Sequence, residues 1–67
     1  MRATCDVAYE MGYAVGRERA DWAQLPAEAL LEQVVAALKQ APVSKNEPAK
    51  LAWVVGVLEG IADATRR

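Results

Sequence analysis

The 67-residue sequence has no histidine, a single cysteine (Cys5), three prolines and four glycines. Without histidine, the usual zinc-ligand sets cannot be assembled around one thiol, and no metal site is expected. The same absence removes the base that a serine or cysteine triad needs, so Ser44, Thr4, Thr65 and Cys5 carry no acyl-transfer chemistry. An intrachain disulfide is excluded by count. Neither sign of charge dominates: eight basic residues face nine acidic ones, for a formal net charge of -1. No long-range field therefore favours nucleic acid or an anionic membrane. Long hydrophobic runs are lacking too, since the longest, Leu51–Leu58, stops at Glu59, far short of the roughly 18 residues a bilayer span needs. Asp6 and Glu10 break up any signal-peptide core near the N-terminus, and a lone thiol suits a reducing compartment, so the expected location is cytoplasmic.

What is present is apolar and helical. Hydrophobic residues make up 54% of the chain, too many for a disordered tail. A chain of this size buries only about 60% of its unfolded surface, which leaves a marginal core unless association adds to it. Alternating runs and Asn-Gly turns are missing and alanine is the commonest residue, so residues 1–67 read as one small all-α domain. The expected architecture is a three-segment helical bundle or helical hairpin, completed by dimerisation.

The first segment spans about Cys5 to Ala23, with Thr4 as its N-cap and Asp6 in the first turn; Leu25-Pro26 ends it. The second begins with Pro26 as its first helical residue and carries a core stripe of Ala27, Leu30, Leu31, Val34, Val35 and Leu38. Ala41 and Pro42 close it. Ser44 and Glu47 have capping-box spacing, but Pro48 fits better if the third segment starts nearer Asn46 or Glu47. From there Leu51, Val54, Val55, Leu58, Ile61 and Ala62 are expected to face the core, and Arg66 and Arg67 complement the helix dipole.

The four glycines fall into a matched pattern: Ala8-x3-Gly12-x3-Gly16-x3-Ala20 and Ala52-x3-Gly56-x3-Gly60-x3-Ala64. Each glycine inside a helix costs roughly 0.8–1 kcal/mol relative to alanine, so something must offset about 3–4 kcal/mol. Small residues four apart form a flat groove in which a second backbone gains dispersion contact and weak Cα–H to carbonyl bonds. Gly12, Gly16, Gly56 and Gly60 are therefore expected at a close helix–helix contact.

A helical wheel leaves apolar surface over. In the first segment Ala8, Met11, Val15 and Trp22 point to the core, while Tyr9, Tyr13, Gly16 and Ala20 form a separate patch. In the third segment Trp53, Val57 and Gly60 project away from the core stripe. This surplus argues for a homodimer or another protein partner, with Tyr9, Tyr13, Trp53 and Val57 as the partner-binding residues and Trp22 in the core.

Catalysis is not expected: Asp6 and Glu10 read as a solvated charged face, Cys5 as a small hydrophobe, and the glycine pairs as helix positions instead of a phosphate loop. No cofactor is expected. Direct DNA readout is disfavoured, because the last helix is apolar, carries Glu59 and Asp63, and follows a long connection. A small DNA-associated transcriptional regulator and a structural or assembly module remain the alternatives to a protein-binding module, and no membrane partner is expected. The start Met1-Arg2-Ala3, the segment Ala8-Tyr-Glu-Met-Gly-Tyr-Ala-Val-Gly-Arg-Glu-Arg-Ala20 and the lack of site chemistry resemble the small helical host-takeover proteins of temperate phages. Quorum-sensing anti-activators and anti-CRISPR proteins are of that kind. The resemblance implies stoichiometric inhibition or modulation of a host regulatory protein.

Overall fold

The computed structural model describes residues 4–66 and is all-α. Helix α1 covers Thr4–Glu18, a 3-10 turn covers Ala20–Gln24, α2 covers Ala27–Gln40 and α3 covers Glu47–Thr65. The cap expected of the Thr4 side chain and the charge of Arg67 lie outside the described residues. The first segment is not one helix to Ala23. It tightens after Glu18, with the Trp22 amide donating to the Arg19 carbonyl at 2.9 Å, and this turn delivers Trp22 to the core. Pro26 is the N-cap of α2, so the helix starts at Ala27, one position after the start the sequence suggested. At α3 the later start is observed: Asn46 caps the helix, its Oδ1 accepting from the Ala49 amide at 2.9 Å, and Pro48 sits in the first turn, where its missing N–H costs no helical bond.

The dominant packing is between α1 and α3, and it is made by backbones. A Cβ built on Gly12 would run into the carbonyl oxygen of Trp53, and one on Gly16 into that of Val57. Reciprocally, a Cβ on Gly56 would strike the carbonyl oxygen of Tyr9, and one on Gly60 that of Tyr13. Contacts that advance together along both helices mean that α1 and α3 are parallel, with α2 as the return between them. They also repeat under exchange of the helices. Adding 44 to Gly12 and Gly16 gives Gly56 and Gly60, and subtracting 44 from Trp53 and Val57 gives Tyr9 and Tyr13. The pair is therefore an approximate two-fold within one chain. The direction that a Cβ would take is left to a glycine Cα hydrogen, the arrangement of a weak Cα–H···O contact.

The core lies on one side of this pair. Trp22 and Val34 join Ala8, Ala49, Trp53, Val57 and Ile61 in a single buried cluster, with Met11, Val15, Leu30 and Leu38 packed against it. On α2 the expected stripe is only partly inward: Val34 is buried, Leu30 and Leu38 half-buried, but Leu31 is 64% and Val35 42% exposed. On α3 the expected core face is largely reversed. Leu51, Val55 and Leu58 are 62%, 44% and 47% exposed, and Ala62 is exposed, while Trp53 and Val57 are buried; Ile61 keeps its expected place in the core, and Val54 is half-buried against it. The reason is the glycine contact. With α1 seated on Gly56 and Gly60, the residues on the opposite side of α3 face outward whatever their hydrophobicity.

Helix propensity and close approach make opposite forecasts at the glycines. Gly16→Ala and Gly56→Ala should lower the thermal midpoint, because the added methyl meets a backbone carbonyl that cannot rotate away; overpacking of about 1–3 kcal/mol outweighs the propensity gain of up to about 1 kcal/mol. Circular dichroism melts check this. A higher midpoint in both variants would remove the close contact as the reason for the glycines.

Candidate functional site

The two sides of the α1–α3 pair differ in what covers them. Trp53 and Val57, expected at a partner interface, are 1% and 0% exposed and belong to the core, because the 3-10 turn and α2 lie over that side. Their two-fold equivalents, Tyr9 and Tyr13, occupy the opposite side and are half-buried. There the phenols cross from α1 to α3: the Tyr9 hydroxyl donates to Glu59 Oε1 at 2.6 Å, and the Tyr13 hydroxyl donates to Asp63 Oδ2. The rings stack at 6.2 Å between centroids, and the Arg17 guanidinium lies 5.9 Å from the Tyr13 ring. The same exchange relates Glu59 to Val15, which packs against the core, so the polar member stands on the open side. Tyr9 and Tyr13 are thus latches between the two helices as well as partly accessible aromatic surface.

The hydrogen bond to the Glu59 carboxylate, followed by burial and the negative charge of Glu59, pushes the Tyr9 phenol up to about 12. A donor that must keep its proton to hold a carboxylate ionises late.

Between α1 with its 3-10 turn and α2 is an open cleft of about 670 Å³, whose walls include Met11, Val15, Trp22, Ala37, Gln40 and Trp53. The indole Nε1 of Trp53 is buried and has no hydrogen-bond partner, a burden of about 1–3 kcal/mol that the packing of the rest of the ring must exceed. Glu18 and Arg19 are the charged residues on this cleft, and Arg19 sits 5.9 Å from the Trp22 ring. Among the described residues no three His, Cys, Asp or Glu side chains are grouped as metal ligands, and no helix is long and apolar enough to cross a membrane. Cys5 is a half-buried free thiol.

The apolar surface not accounted for by core or latch is the outer face of α3. At 100° per residue Leu51, Val55, Leu58 and Ala62 fall within an arc of about 60°, roughly opposite Gly56 and Gly60. Charge is confined to the ends and to the tyrosine side: Glu47 pairs with Lys50 at 3.0 Å, Asp63 with Arg66 at 3.1 Å, and Glu59 accepts the Tyr9 hydrogen bond. Sequence periodicity placed this stripe in the core. Hydrophobic periodicity could not have turned it outward, since α3 is apolar nearly all round; the local signal that bears on it is the Gly56–Gly60 spacing on the opposite side, where α1 is seated. Comparison with protein-family models, with curated proteins and with solved structures gave no match.

Two measurements test this arrangement. The Tyr9 phenol should titrate in the ultraviolet near 12, and Glu59→Gln should return it toward the ordinary value of 10.0. Because the folded phenol holds its proton more tightly than the unfolded one, the stabilisation is complete below about pH 10 and is lost as pH rises toward 12. Trp53→Ala should cost about 3–5 kcal/mol and abolish the cooperative melt, as expected for a buried ring and not for an exposed anchor.

Proposed function

We propose that the chain is a non-catalytic protein-docking module, acting by occupancy, with the outer face of α3 as its docking surface. The observation that carries this reading is the exposed stripe Leu51, Val55 and Leu58. Monomeric proteins rarely keep a row of large apolar side chains in water unless the row is covered in use. Tyr9 and Tyr13 contribute partly accessible aromatic surface on another side, whereas Trp53 and Val57 support the fold. Occupancy agrees with the resemblance to phage host-takeover proteins, under which the role would be stoichiometric modulation of a regulatory protein. The absence of a dominant charge and the apolar character of α3 favour a protein over nucleic acid as partner.

A photo-crosslinking amino acid at Val55 tests the reading in cells producing the chain. A protein adduct from position 55, with none from the exposed Glu28 position on α2, is the expected result. No adduct above that control would overturn the docking assignment.

A further inference from the structure

The geometry points to a second copy of this chain as the occupant of the α3 face, bound antiparallel; this rests on the docking reading above and names its partner. The argument starts from the order of residues along the stripe. Reading α3 forward from its start gives Glu47, Leu51, Val55; reading it backward from its end gives Arg66, Ala62, Leu58. The spacings match in both directions, four residues and then four. Positions whose numbers add to 113 therefore stand level in an antiparallel pair: Glu47 with Arg66 of the second copy, Leu51 with Ala62, Val55 with Leu58.

Each level is complementary. A large side chain meets a small one at Leu51 and Ala62, and two branched aliphatic side chains meet at Val55 and Leu58, next to the two-fold axis. The flanking ends are opposite in sign, because Glu47 is 80% and Arg66 74% exposed at the side chain and both stand free to face a partner beyond their own ion pairs. A parallel pair would instead bring Glu47 level with Glu47 and Arg66 level with Arg66. Helix dipoles add in the same sense, since antiparallel neighbours put opposite ends together.

The stripe also has the spacing for this. Leu51, Val55, Leu58 and Ala62 are separated by four, three and four residues, the repeat that keeps one seam of a helix against a neighbour. In an antiparallel seam the two alternating classes of position face each other, which is the pairing that the sum of 113 gives. An interface of this kind is isologous: one patch serves both partners, so it closes at two and does not propagate. The chain then uses α3 twice, with α1 packed backbone to backbone on its glycine face and a second α3 on its aliphatic face.

Sedimentation equilibrium of the full chain at about 100 µM should give twice the 7.3 kDa chain mass. Leu58→Glu should weaken association at least about tenfold while leaving the circular dichroism spectrum unchanged, because Leu58 is exposed in the single chain. Orientation is read by oxidation in a Cys5→Ser background. Leu51→Cys mixed with Ala62→Cys should form a mixed disulfide, whereas Ala62→Cys alone should form none, its two copies lying about 16 Å apart along the axis. A disulfide from Ala62→Cys alone would mean a parallel pair and overturn the assignment. So would a monomer at this concentration, or a dimer indifferent to Leu58→Glu. If the Val55 probe still captures a different protein in that event, docking stands and only self-pairing fails; if it captures nothing, both fail.

Discussion

Everything in this molecule depends on the approach of two backbones. Four glycines let the carbonyls of Tyr9, Tyr13, Trp53 and Val57 occupy the positions that Cβ atoms would otherwise take, so α1 and α3 sit closer than side chains would permit. The helix-propensity cost of those glycines is about 3–4 kcal/mol, and the contact that offsets it is spread along most of both helices. Because the two helices are parallel, the chain between them has to travel back. That requirement makes α2 a return segment, and it packs mainly by Val34 and its neighbours.

One-sided cover then breaks the internal two-fold. Trp53 and Val57 are sealed under the 3-10 turn and α2, and the equivalent Tyr9 and Tyr13 remain at the surface with hydroxyls anchored on Glu59 and Asp63. Tyrosine suits the open side because its ring packs while its hydroxyl reaches a partner. Tryptophan on the covered side supplies more buried area, at the expense of an indole N–H that finds no acceptor.

A fold that spends one face of its most apolar helix on a backbone contact has little chain left to cover the others. Leu51, Val55 and Leu58 stay outside for that reason, along with Leu31 and Val35 on α2. In a short chain with a marginal core, such a face is where association contributes most. The docking reading and the self-pairing register both follow from this surplus, and neither calls on chemistry that the residues do not possess.

By itself the sequence determined the helical class, the capped start of α3 at Asn46, the core role of Trp22 and the need of the glycine motifs for a close helix contact, because each is written in local spacing or residue type. It also determined that no site in the chain holds a histidine, since folding cannot supply one. Only the tertiary structure decided which face of α3 is inside. A helix apolar on nearly every side has no periodicity to orient it, so Trp53 and Val57 were as eligible for the surface as Leu51 and Leu58 for the core. The choice was made by steric fit: only the glycine face admits another backbone, and once α1 occupies it the direction of every other side chain on α3 is fixed.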